Sequence, residues 1–141
     1  MCIRDRFLTS LSDVIVFSSA PPGQGGEHHV NEKPYWWWKR LFEEQGYELY
    51  DSIRPRITKY TSVKPWYKYN MFIYVSSNSS VSSNVALLRQ KLAYHYKKGD
   101  SPPDISPFLY KLRKLIVRCL PTKVQNYLAK IKYSKSISTI N

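Results

Sequence analysis

His28, His29, Asn31 and Glu32 put proton-transfer and hydrogen-bonding groups within five consecutive positions. A neutral imidazole at His29 can take a proton from a hydroxyl or an amine while that group reacts, and the Asn31 amide can orient the reacting group. His28 offers the same chemistry one residue earlier. For His29 and Asn31 the plainer role is to hydrogen-bond the loop's own backbone and hold a turn; geometry, not residue type, decides between the two. Gln24 stands among Gly23, Gly25 and Gly26, where backbone N–H groups and close approach would suit a ligand, or simply a tight loop. Glu27, His28, His29 and Glu32 are also zinc-type donors. Adjacent histidines point apart more often than they converge, and no second cluster completes a shell, so no metal is expected. Further along, Asn70 follows Trp66 and Tyr67 and is a weaker binding candidate in a segment that reads mainly as structural.

The elements that must position these groups follow from hydrophobic spacing. Residues 14–17, Val-Ile-Val-Phe, form an unbroken apolar run, which predicts a strand covered on both faces. Three glycines and two prolines forbid regular structure over 20–32. That loop lies at a strand's C-terminal end, the edge where open α/β sheets bind ligands. Upstream, Phe7, Leu8 and Leu11 predict the last turn of an amphipathic helix. Downstream, Pro34 suits a helix start, and Tyr35, Trp38, Leu41 and Phe42 recur at helical spacing. Lys39, Arg40, Glu43 and Glu44 fall on the other faces, and Gly46 ends the helix. Trp36 and Trp37 are candidates for a stacking platform, whereas Trp38 belongs to the core stripe. Strands are predicted over 47–53 and 69–75, separated by an irregular stretch holding prolines. The order of helix, strand, helix, strand, loop and strand predicts α/β architecture, as in the closing half of a doubly wound sheet.

Beyond it, the Ser and Asn cluster at 77–84 reads as a linker. A helix is predicted over 85–98 from Val85, Leu88, Leu92 and Tyr96, with Gly99 as its stop. A second helix over 108–120 is predicted to turn Leu109, Leu112, Leu115, Ile116 and Cys119 inward and to leave Lys111, Arg113, Lys114 and Arg118 outward or flanking. Pro121 starts a last one through Val124, Leu128 and Ile131.

Bulk composition agrees with a folded unit carrying a charged appendage. Hydrophobic residues make up 43% and aromatics 15%, with twelve Tyr and four Trp, too much apolar area for a disordered polymer. The net charge of +12 is uneven: residues 1–84 carry ten basic and eight acidic side chains, and residues 85–141 carry twelve and two. A polyanion or anionic surface would therefore meet the tail first, through Lys97, Lys98, Lys111, Arg113, Lys114, Arg118 and Lys123, although a solvated helix face is the plainer role for such charges. Cys2 and Cys119 match no metal or redox spacing, which points to a reducing, cytoplasmic setting. No apolar run reaches the roughly 18 residues of a membrane span.

Three pieces in order resemble one bacterial-type group of class I S-adenosylmethionine-dependent methyltransferases. The first runs from the 14–17 strand into Gly23-Gln24-Gly25-Gly26 and His29-Val30-Asn31-Glu32. The second is the aromatic-rich helix with Trp38, Leu41 and Phe42, closing in Glu44-Gln45-Gly46-Tyr47. The third is Arg54-Pro55-Arg56 followed by Trp66-Tyr67 and Asn70. Pro34 and Tyr35 depart from the family's usual order of an aromatic and then a proline, and Lys64 and Lys68 add charge near the second loop.

The resemblance covers residues 7–76 and implies the C-terminal half of a Rossmann-like seven-stranded sheet. Its three strands would be the last three of the seven, the final one antiparallel between the other two, followed by an α-helical basic tail over 85–141. It implies transfer of a methyl group to a hydroxyl or amine of a small molecule or glycan. His29 would be the candidate base and Gln24, His28, Asn31, Glu32 and Asn70 the substrate-binding candidates. S-adenosylmethionine would be bound by a preceding half, because the family's glycine-rich turn and ribose-binding acid have no counterpart here. The chain alone is then expected to bind the cofactor poorly and to be inactive. Residues 1–6 resemble a translated sequencing adapter, so they carry no weight in the fold reading. With its first four strands missing, the sheet would leave 14–17 as an aggregation-prone edge, and poor solubility is expected.

Overall fold

The computed structural model describes residues 3–25, 31–78, 83–92, 96 and 99–138. Its elements run α1 (Ile3–Leu11), β1 (Val14–Ser18), α2 (Tyr35–Glu43), β2 (Tyr47–Tyr50), α3 (Arg54–Ile57), α4 (Pro65–Asn70), β3 (Met71–Ser76), α5 (Ser83–Lys91), α6 (Phe108–Cys119) and α7 (Thr122–Ser138). They form two compact units. One comprises Met1–Ser19 with Pro34–Asp104, the other Ala20–Lys33 with Ile105–Asn141. The division does not follow chain order: α5 groups with the sheet, and the glycine-rich loop groups with the C-terminal helices.

In the first unit the strand order is β1-β3-β2, and β3 runs antiparallel to both neighbours. This is the order and sense expected for the three strands. The register places Tyr74 opposite both Ile15 and Leu49, and Phe72 opposite Phe17. Because successive side chains alternate faces, these residues share one face, and α2 packs on it through the predicted stripe. Tyr35, Trp38, Leu41 and Phe42 are all buried. Phe42 stacks on Tyr74 at 3.9 Å between ring centroids, and Phe17 meets Trp38 at 5.0 Å and Phe42 at 5.3 Å. Such aromatic pairs contribute about 0.5–1.5 kcal/mol each beyond the area they bury. Gly46 closes α2 at φ +78°, a left-handed conformation that suits glycine. The Tyr47 hydroxyl donates to the carbonyls of Ser12 (2.7 Å) and Thr9 (3.0 Å), tying the end of α1 to the sheet.

Several expectations are corrected. The strand at 14–17 is not covered on both faces: Ile15 is buried, but Val16 is 58% exposed on an edge strand. In α1, Leu8 packs on the core while Phe7 and Leu11 are exposed, because the short helix touches the unit along a narrow line. Lys39, expected on an outer face, is buried and paired with Glu43 at 2.5 Å. The irregular stretch after β2 contains α3 and α4, so Tyr69 and Asn70 end a helix and β3 starts at Met71. The helix expected to reach residue 98 ends at Lys91. Tyr96 is not helical; its N–H bonds to the Leu49 carbonyl on the side of β2 away from β3.

In the second unit α6 is rotated by about half a turn from the sequence expectation. Lys114 and Val117 are buried, whereas Leu109, Leu112, Leu115, Ile116 and Cys119 are exposed. The reason is local: residues 23–25 present carbonyl groups and bare glycine surface to the helix. Arg113 turns to donate to the Gln24 carbonyl, and the backbone at Lys114 packs against Gly23. In α7, Val124, Leu128 and Ile131 are likewise exposed.

Candidate functional site

Pro21, Gly23 and Gln24 make a tight turn in which the Gln24 N–H donates to the Pro21 carbonyl at 3.1 Å. Gly23 and Gly25 take φ of +82° and +67°, and this aims both of their N–H groups the same way, as in an anion-binding nest. The anion is the chain's own. Glu32 Oε2 accepts from the Gly23 N–H and Oε1 from the Gly25 N–H, each at 2.7 Å. Hydrogen bonds to a charged group each contribute about 1.5–3 kcal/mol, so this carboxylate clamps the two ends of the loop together. Glu32, a substrate-binding candidate by its position in the sequence, thus makes these bonds to its own loop.

The turn is seated on α6. A Cβ on Gly23 would lie 2.1 Å from the Lys114 carbonyl oxygen, so only glycine lets the helix backbone come that close. Gln24 is buried, and its carbonyl accepts from Arg113 Nη1 at 3.1 Å. Lys114 is buried too and donates through Nζ to Ser106 Oγ at 3.1 Å. Asn31 is exposed. The structure thus brings Gln24, Asn31 and Glu32 into one unit. His28 and His29 lie outside the described residues, as does Glu27. Among the described residues no group of three His, Cys, Asp or Glu side chains could hold a metal ion.

Asn70 belongs to the other unit. It is 1% exposed, and its Oδ1 accepts from the Tyr35 hydroxyl at 2.7 Å. That bond ties α2 to the end of α4. Beside it lies a polar cluster that spacing alone did not single out. Arg54 is fully buried, with its guanidinium bonded in fork geometry to both Asp51 carboxylate oxygens. The same group donates to the carbonyls of Tyr69 (3.2 Å) and Pro103 (3.0 Å) and lies 4.2 Å over the Phe72 ring. Tyr96 completes the cluster by donating its hydroxyl to Asp51 at 3.2 Å. Burial first, and the Asp51 charge second, push the Tyr96 hydroxyl above its ordinary pKa. The signal that could have found the cluster is Asp-x-x-Arg at the end of a strand, a spacing that closes an ion pair over one turn.

The chain matches no protein-family model, no curated protein and no solved structure.

Proposed function

We propose that this chain is the C-terminal part of a class I S-adenosylmethionine-dependent methyltransferase. Its parent would act in the cytoplasm on a hydroxyl or amine of a small molecule or glycan. The observation that carries the reading is the placement of β3, antiparallel between β1 and β2. A strand that enters in reverse between two earlier parallel ones departs from the parallel crossover usual in α/β connections, and the family resemblance implies it. The three resembling pieces support the reading by their position: they fall on β1 and its loop, on α2, and on α3 to the start of β3.

S-adenosylmethionine does not fit the described residues. The N–H pair that would suit an anionic end of a ligand is filled by Glu32, and the space at Gly23 belongs to α6. Cofactor binding is accordingly assigned to a preceding half of the parent. What this chain contributes is the acceptor-side loop after β1. There His29 is the proposed base and Asn31, with His28, the proposed acceptor contact. Glu32 and Gln24 serve by holding that loop in shape.

Titration calorimetry on the 141-residue chain tests the reading together with the coding sequence upstream of Phe7. The expected result is no binding by the chain alone and stoichiometric binding once the upstream segment is joined. Tight binding by the chain alone, or an upstream segment lacking a strand followed by a glycine-rich turn, overturns it.

A further inference from the structure

α6 presents its apolar face to water. Phe108 and Leu109 are each 76% exposed, Leu115 60%, Ile116 55% and Leu112 42%. At 100° per residue these five fall within an arc of roughly 120°. The opposite face is the one that seats on residues 23–25 through Arg113, Lys114 and Val117. The stripe is therefore not a core face awaiting its loop, because the loop is already docked on the other side. Lys111 and Arg118 run along one border of the stripe, and Arg113 lies at the other. Residues 105–141 hold eight Lys and Arg and no Asp or Glu. In α7, Val124, Tyr127, Leu128 and Ile131 repeat the pattern, exposed at helical spacing.

A contiguous apolar stripe on a water-facing helix marks an interaction surface, and its borders select the partner. A second copy of the chain would bring two wholly basic segments together, which their charge opposes. A polynucleotide would use the basic residues and leave the aliphatic ones in water. One surface is apolar below and anionic above, to the depth of a single helix. We infer that α6 lies in the plane of an anionic membrane surface, with its stripe at the boundary of headgroups and acyl chains and Lys111 and Arg118 among the lipid phosphates. At about 18 Å in length α6 is an in-plane element rather than a span. Among the described residues no helix is long and apolar enough to cross a membrane. The inference does not depend on the methyltransferase reading.

The test is co-sedimentation of the full 141-residue chain with vesicles of phosphatidylcholine alone and of phosphatidylcholine with phosphatidylserine. Binding to the anionic vesicles is expected to be stronger by about tenfold or more and to weaken as salt rises. The double variant L112S/I116S removes apolar area from exposed positions only. It should keep the far-UV circular dichroism of the parent and lose about tenfold or more in vesicle binding. A polarity-sensitive fluorophore on Cys119, in a Cys2→Ser background, reads insertion directly and should shift to the blue on anionic vesicles. Equal binding to both vesicle types overturns the inference, as does an L112S/I116S variant that binds like the parent. So does a stable dimer that L112S/I116S dissociates, or an oligonucleotide complex that displaces the chain from vesicles and is indifferent to L112S/I116S.

Discussion

Glu32 illustrates how a residue type with obvious chemistry is claimed by the backbone around it. Its two oxygens each take one N–H, from Gly23 and Gly25, and those N–H groups point together because both glycines adopt positive φ. Replacing Glu32 by Gln keeps the shape but leaves one acceptor oxygen for two donors and removes the charge. The expected cost is about 1–3 kcal/mol of local stability. It should appear as hydrogen exchange at the Gly23 and Gly25 amides that is roughly 10- to 100-fold faster in E32Q. Unchanged protection at both amides would show that the clamp contributes nothing. Arg54 makes the complementary point in the other unit: a fully buried guanidinium is tolerable because Asp51 and two carbonyls satisfy it.

Among the elements, β1 and α6 share a property, since each shows water a face that its sequence marks as apolar. For β1 the exposed residue is Val16, on a strand whose outer edge has no partner strand among the described residues. Unpaired edges with β-branched residues template association between copies. A Val16→Lys change places a charge there without touching the buried Ile15 and Phe17 side. We expect V16K to raise the soluble yield and suppress light scattering on concentration, with a change in urea-unfolding free energy within about 0.5 kcal/mol. Scattering as high as in the parent would move the origin of any association away from this edge. In α6 the apolar face is matched to charged borders instead, and the same exposure there becomes a binding property.

For the molecule as a whole, the aromatic core sets an alkaline limit. Tyr74 sits beneath Phe42 at the centre of the sheet, and burial, reinforced by the Glu43 charge, pushes its hydroxyl far above the ordinary tyrosine range. Burial also raises Tyr47, Tyr50 and Tyr96. Below about pH 10 these groups are protonated in folded and unfolded chains alike, and their contribution to stability is fully present. Above about pH 10 the unfolded chain ionises them while the folded one holds its protons, so stability falls by about 1.4 kcal/mol per pH unit for Tyr74 alone. Absorbance at the tyrosinate band should therefore rise in two stages: exposed tyrosines first, then the buried ones together with the loss of near-ultraviolet circular dichroism. A single smooth titration with the dichroism intact would contradict this account.

Local pattern determined where the first two strands start, which apolar residues of α2 face the core and where Gly46 stops that helix. Hydrophobic spacing and backbone preference act within a few residues and need no knowledge of the neighbours. The middle position of β3 came from resemblance rather than spacing, since periodicity is blind to which strand pairs with which. Only the tertiary structure decided the rest. It buried Lys39 and Arg54 beside Glu43 and Asp51, ended the helix after 91 so that Tyr96 could bond to β2, and turned α6 over. In each case a carboxylate or backbone group took a donor that lay across a turn or much of the chain. Arg113 reaches Gln24 across 89 positions. A helix pattern records which of its faces is apolar, but the polar demands of the surface it meets settle which face goes inside.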